Sequence, residues 1–285
     1  MTVRAPRFSS PAICVTAVLA VLLVLAGCSA AVPRATETDA TPTATASPTL
    51  FAAGAVADYQ LGGAYEPDAA VTVVVRDASE EPLAGAYSIC YLNGFQSQPG
   101  ESWPSELLLR DAEGDPVIDA NWPDETLLDI RTAGNRDAIA ARFAPLIEGC
   151  ASAGFAAVEF DNLDSYARSA GVLEREQAVA MAMLFVQLGH SNGLAVAQKN
   201  SAEMLGEAAS AIGFDFAIVE ECDQYSECGD FTDFYGEAVI DIEYTDELRR
   251  PFSEVCADAA TPRITMLRDR DLTPPGSAEY VFEHC

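Results

Sequence analysis

From residue 58 onward the chain alternates short apolar runs with longer stretches of helical period. Eight runs read as strands: Tyr59–Gly62, Val71–Asp77, Tyr87–Asn93, Phe155–Asp161, Leu194–Asn200, Phe214–Glu221, Ala238–Tyr244 and Ile264–Arg268. Each is mostly apolar and bounded by Gly, Pro or polar residues, as strands of a buried parallel sheet are. Between them, Arg136–Ala153 and Glu174–Gly193 have the spacing of helices, the second carrying Val179, Met183, Val186 and His190. His190 reads there as a packed or helix-end histidine rather than a catalyst. Eight strands with intervening helices predict an α/β protein, a (β/α)8 TIM-type barrel, which typically takes about 250 residues. The connections before Val71 and Tyr87 are short for crossover helices, and a doubly wound open sheet is the alternative architecture.

The polar positions are as patterned as the apolar ones. The stretch Gly154–Tyr166 reads GFAAVEFDNLDSY, and strand alternation puts Glu159 and Asp161 on one face with Val158 and Phe160 on the other. Two carboxylates facing one interior are a costly way to build a core, because a buried charge needs a partner. Other strands also end in polar residues: Arg76-Asp77, Tyr91-Leu92-Asn93, Gln198-Lys199-Asn200, Glu220-Glu221, Asp241-Ile242-Glu243-Tyr244 and Arg268. In a barrel those ends converge on the face where active sites lie.

The amino-terminal region has a different pattern. Arg4 and Arg7 precede an apolar run from Ala12 to Ala26, and Leu25-Ala26-Gly27-Cys28 follows. Residues 1–28 read as an export signal whose ending resembles a bacterial lipobox, with Cys28 as the lipidated residue. Residues 29–52, rich in Ala, Thr and Pro, bury too little to offset the entropy of ordering and read as a disordered tether. The barrel is assigned to residues 53–285. This organisation predicts a lipid-anchored protein on the extracellular face of the membrane, or a secreted one. Six cysteines remain for disulfides: Cys90, Cys150, Cys222, Cys228, Cys256 and Cys285. Six allow fifteen connectivities; proximity favours Cys222 with Cys228, Cys256 with Cys285 would pin the last residue, and Cys90 with Cys150 is left over.

Charge narrows the partners. Asp and Glu outnumber Lys and Arg 44 to 16, for a formal net charge of −28. Such a chain repels nucleic acid and anionic membrane surfaces and attracts cations. Lys199 is the single lysine. With two histidines and no CxxC pair, a structural zinc site is not expected. No glycine-rich phosphate loop is present, and the strand ends offer no Ser-His-Asp set. A carboxylate pair working without cofactor or metal is what glycoside hydrolysis requires. The chemical competitor is a divalent metal held by Asp161 and Asp164. Tyr91, Trp103, Trp122, Tyr166, Tyr225 and Tyr244 are aromatic candidates for sugar faces.

From about Tyr59 to Tyr244 the chain resembles glycoside hydrolase family 114, the endo-α-1,4-polygalactosaminidases. The matching pieces are Cys90-Tyr91-Leu92-Asn93, Trp122-Pro123-Asp124-Glu125, Leu128-Asp129-Ile130-Arg131, Val158-Glu159-Phe160-Asp161-Asn162, Lys199-Asn200, Asp215 to Cys222 with Glu227-Cys228, and Glu243-Tyr244. The resemblance implies a (β/α)8 barrel that cleaves internal α-1,4-linked galactosamine bonds without a cofactor. It places the catalytic Asp on Asp161 and the catalytic Glu on Glu220, which alternation alone does not distinguish from Glu221. Asp77, Tyr91, Asn93, Asp129, Arg131, Glu159, Asn162, Tyr166, Lys199, Asn200, Glu221, Tyr225, Glu243 and Tyr244 are the expected substrate-binding set. The expected partner is a cationic galactosamine-containing polysaccharide met by a monomer, which an acidic cleft would concentrate. Three positions depart from the family's usual pattern: Phe160 for Pro, Tyr59 for Trp and Glu237 for Lys. A non-catalytic carbohydrate-binding lipoprotein is the competing reading.

Overall fold

The computed structural model describes residues 48–285; Cys28 and most of the tether lie outside them. Three strands come first: β1 (Val56–Gln60), β2 (Val71–Asp77) and β3 (Tyr87–Asn93). Then follow α1 (Ala133–Ala153), β4 (Ala157–Asp161), α2 (Ser165–Arg168), α3 (Arg175–Ser191), β5 (Ala195–Lys199) and α4 (Glu207–Ile212). The chain continues through β6 (Phe216–Glu220), α5 (Cys222–Tyr225), α6 (Cys228–Tyr235), β7 (Val239–Tyr244), α7 (Phe252–Ala257), β8 (Ile264–Arg268) and β9 (Phe282–His284).

Strands β1 to β8 pair in chain order and are all parallel, and β9 adds antiparallel to β8. A doubly wound sheet would reverse its strand order part-way, so this is the barrel. It departs from a full (β/α)8 count where the short connections indicated: no helix lies between β1 and β2 or between β2 and β3. The apolar run of β1 also begins earlier than the sequence pattern places it, and β9 is too short to leave a period. Between β8 and β1 the closure is made largely by Arg268. Its guanidinium donates to Asp58 Oδ1 at 2.7 Å and to the Tyr59 carbonyl, with Val281 and Thr273 carbonyls on its other side.

Alternation sorts the strand residues cleanly. Inward rows include Tyr59, Val75, Ile89, Tyr91, Ala157, Ala197, Phe216, Ile218, Ile242 and Met266. Outward rows on β3 to β5, among them Leu92, Val158, Phe160 and Val196, pack beneath α1 and α3 with Phe143, Met181 and Phe185. Phe160 stacks on Phe185 with ring centroids 4.3 Å apart, so the replacement of the family's usual Pro faces the helices and leaves the interior untouched. Helix α3 lies so close that a Cβ on Gly189 would come within 2.4 Å of Val196; any larger residue there would push the helix off the sheet. Thr132 caps α1 by accepting from the Asn135 N–H, and Gly154 ends it in the left-handed conformation.

Leu50 and Phe51, assigned to the tether by composition, pack against the barrel interior instead. Phe51 meets Tyr87 and Phe216 edge-on. The three disulfides are Cys90–Cys150, Cys222–Cys228 and Cys256–Cys285; spacing alone pointed only to the second, and the sequence left the full pairing open.

Candidate active site

The carboxyl ends of β3 to β7 each send one inward side chain to the mouth of the barrel: Tyr91, Asp161, Lys199, Glu220 and Tyr244. Immediately after β4, β5 and β6 the chain turns through a left-handed residue, Asn162 (φ 66°), Asn200 (φ 46°) and Glu221 (φ 58°). Asn tolerates that conformation and Glu does so at a cost, which marks these turns as constrained. Each turn leaves the preceding side chain, Asp161, Lys199 or Glu220, standing at the rim.

Lys199 is the hub. Its ammonium lies 3.1 Å from Glu159 Oε1, 3.2 Å from Asp161 Oδ1, 3.2 Å from Glu220 Oε2 and 3.2 Å from the Tyr59 hydroxyl. Burial alone would lower its pKa, but Asp161, Glu220 and Glu159 together hold it well above the usual range. Burial would likewise raise Asp161. The Lys199 charge, the Tyr91 hydroxyl at 2.6 Å and the Asn162 N–H at 2.7 Å outweigh it and keep that carboxyl below its ordinary value. Glu159 lies one inward position deeper and is fully buried; burial pushes it up to about 7 despite Lys199. Tyr59 donates to its Oε1 at 2.8 Å, while Oε2 has no partner among the described residues. Burial also holds Tyr59, Tyr91 and Tyr244 well above the ordinary phenol value, so all three act as neutral donors. Tyr244 donates to Glu220 Oε1, and Asn200 Nδ2 lies 3.3 Å from Glu220 Oε2.

Above this cluster opens a cleft of about 440 Å³. Its lining includes the five strand-end residues with Tyr59, Asn121, Trp122, Asn162, Asp164, Arg168, Asn200, Arg270 and Asp271. Trp122, 59% exposed, arrives from the 94–132 insertion between β3 and α1, which is tied together by short bridges such as Ile118 with Thr126.

Of the expected site residues, the structure brings together Tyr91, Glu159, Asp161, Asn162, Lys199, Asn200, Glu220 and Tyr244. Asn93 stands just behind, accepting from Asn162 Nδ2 at 3.0 Å and donating to Glu125. The rest lie elsewhere. Asp77 closes a turn on Ser79, and Asp129 pairs with Arg131 at 2.7 Å within the insertion. Tyr166 bonds Glu203, and Tyr225 is 63% exposed outside the cleft lining. Glu243 faces outward and accepts from the Asp223 N–H at 2.8 Å. Glu221 is turned to Arg270 at 2.7 Å, leaving Glu220 as the inward member of that pair. The run of polar strand ends therefore overstated convergence: Arg76, Asp241, Glu243 and Arg268 occupy outward or seam positions and serve the fold. Asp164 is committed to Arg168 at 2.5 Å and Asp161 to Lys199, so cations of the chain itself occupy the carboxylates considered for a metal. Arg168, Arg270 and Asp271 escaped sequence reasoning, although the last two directly follow the β8 end and so reach the same rim.

A model of glycoside-hydrolase family GH114 matches residues 36–285. The chain belongs to that family. It is thus a glycosidase, and its strand-end cluster is the family member's candidate active site. No curated protein sequence matches it. Among solved structures it is similar to Aspergillus fumigatus Ega3 in complex with galactosamine, with a TM-score of 0.66, 19% identity, and coverage of 85% of this chain and 98% of that one. It is also similar to the glycoside hydrolase domain of PelA from Pseudomonas aeruginosa, with a TM-score of 0.52, 17% identity, and coverage of 79% and 99%. At these identities the likeness speaks for the fold.

Proposed function

We propose that the enzyme cleaves internal α-1,4-linked galactosamine bonds in an extracellular polysaccharide, with Asp161 as nucleophile and Glu220 as general acid/base. The supporting observation is the shared ammonium. Asp161 Oδ1 and Glu220 Oε2 each lie 3.2 Å from Lys199 Nζ, so the two oxygens are separated by no more than twice that distance. That proximity is compatible with the roughly 5–5.5 Å between the carboxyl groups of retaining enzymes, the mechanism proposed here. Asp161, held ionised, attacks the anomeric carbon as the glycosidic bond breaks and Glu220 gives its proton to the leaving oxygen. Glu220 then takes a proton from water, whose oxygen displaces Asp161 from the sugar. Tyr244 and Asn200 orient Glu220, and Tyr91 and Lys199 orient Asp161.

The galactosamine substrate draws support from family membership and from the galactosamine bound to Ega3, and the acidic chain suits a cationic polymer. In this reading the mature protein is a monomer held to the outer membrane face by a lipid on Cys28. Incubating the purified protein with partly deacetylated galactosaminogalactan should release shortened oligosaccharides. Binding without shortening would instead support a carbohydrate-binding lipoprotein. For the anchor, substituting Cys28→Ser should move the protein from the membrane fraction to the medium, and an unchanged distribution would refute lipidation.

A further inference from the structure

The charges along the cleft wall form an account with one term left over. Asp161 and Glu220 share Lys199, Asp164 is taken by Arg168, and Glu221 and Asp246 both hold Arg270. Asp271, exposed and also lining the cleft, has no side-chain hydrogen bond or ion pair among the described residues. Its backbone is nonetheless fixed. The next residue, Leu272, is buried with φ 51°, a conformation that costs a branched residue and persists only where the surroundings impose it. Those surroundings are visible. A Cβ on Gly62 would lie 2.4 Å from the Leu272 carbonyl oxygen and 2.8 Å from that of Asp271, so only glycine lets the segment after β1 seat against this loop. Asp269, buried just before, accepts from the Thr273 and Val281 N–H groups and holds the loop from below. A strained, doubly braced loop thus sets an uncommitted carboxylate on the wall of a sugar cleft.

We infer that Asp271 is a specificity residue that receives the free ammonium of a deacetylated aminosugar unit and so favours it over the N-acetylated unit. The inference rests on the glycosidase reading above and deepens it. An ammonium meeting this carboxylate displaces no existing partner, whereas at Asp164 it would have to compete with Arg168. An acetamido group offers no positive charge, so the discrimination is a charge-assisted hydrogen bond made by one unit and not by the other.

The test compares wild type, Asp271→Asn and a charge-matched control, Glu148→Gln on the exposed face of α1. Each is assayed on fully deacetylated and on N-acetylated α-1,4-galactosamine polymer, and binding of the matching oligosaccharides is measured alongside. Asp271→Asn should raise KM and weaken binding about tenfold for the free-amine form, leave kcat nearly unchanged, and change neither value on the acetylated form. Gly62→Ala should move in the same direction by shifting the loop. Equal effects on both substrates, or the same change in Glu148→Gln, would overturn the inference. If wild type cleaves neither polymer, the glycosidase reading fails. Binding then decides alone: a free-amine preference that Asp271→Asn removes supports the ammonium site, and no such preference overturns it.

Discussion

Strands β4, β6 and β7 bury acid on both faces of one barrel wall, and the two faces treat it differently. Inward, Glu159, Asp161 and Glu220 surround the Lys199 ammonium at 3.1–3.2 Å beneath an open cleft. Outward, Asp241 and Glu243 gather against the Cys222–Cys228 disulfide, with Asp223 bonded to Glu243 and no buried cation beside them among the described residues. Asp241 receives the Thr265 hydroxyl at 3.2 Å and Glu243 the Asp223 N–H, while Arg249 and Arg250 are spent on Asp223. The consequence shows in the acids. The inner Asp161 is held below its ordinary pKa, whereas burial and mutual repulsion drive Asp241 well up and burial pushes Glu243 to about 7. A buried carboxylate becomes an ionised reagent only where a cation and a path to solvent accompany it; elsewhere it is a proton-holding cost to the fold.

Removing the cation should erase the contrast. Lys199→Met leaves three carboxylates facing one another, and loss of a buried partner typically costs about 3–5 kcal/mol of stability. Chemical unfolding at neutral pH should show that loss, with turnover down by about 10³ as Asp161 loses its stabilisation. Retained stability and turnover would mean that Lys199 is not the hub.

A smaller effect probes the inner face alone. Tyr244→Phe removes the donor to Glu220 and should lower kcat roughly ten- to a hundredfold, while unfolding stability changes little.

The mildest change sharpens the outer face. The folded pKa of Glu243, about 7, lies above its ordinary 4.5, so the folded protein keeps a proton that the unfolded chain releases. Stability therefore declines as pH rises from 4.5 to about 7. Glu243→Gln should make the decline in thermal unfolding temperature across that window shallower, with Glu159 and Asp241 supplying the remainder, and leave turnover unchanged; an equally steep decline would place the titrating group elsewhere.

Much of this was readable from the chain. The period of two separated Glu159 and Asp161 from Phe160, and apolar runs bounded by breakers located the strands. What escaped reading depends on contacts between distant segments. Nothing local distinguishes Lys199 as a hub from a lysine at a strand end, because its partners lie on three different strands. Arg268 looks like a strand-end charge until β1 and β8 are brought together, when it proves to be the clasp between them. Asp241 and Glu243 resembled site residues because a polar strand end reads the same whichever face it takes. Trp122 was legible as an aromatic candidate, but its place at the cleft depends on the folding of a long insertion, and Asp271 reaches the cleft only through the seating of its loop on Gly62.

The central claim is that Asp161 is the reacting carboxylate on a partner-held strand end. It is tested most directly by Asp161→Asn, assayed on deacetylated α-1,4-galactosamine polymer with thermal unfolding as the check on folding. The proposed role of Asp161 predicts loss of cleavage by at least about 10³, an effect of the size expected for removing a group that acts in the transition state, while the protein still folds and binds the polymer. Cleavage at the wild-type rate by a folded Asp161→Asn enzyme would contradict it.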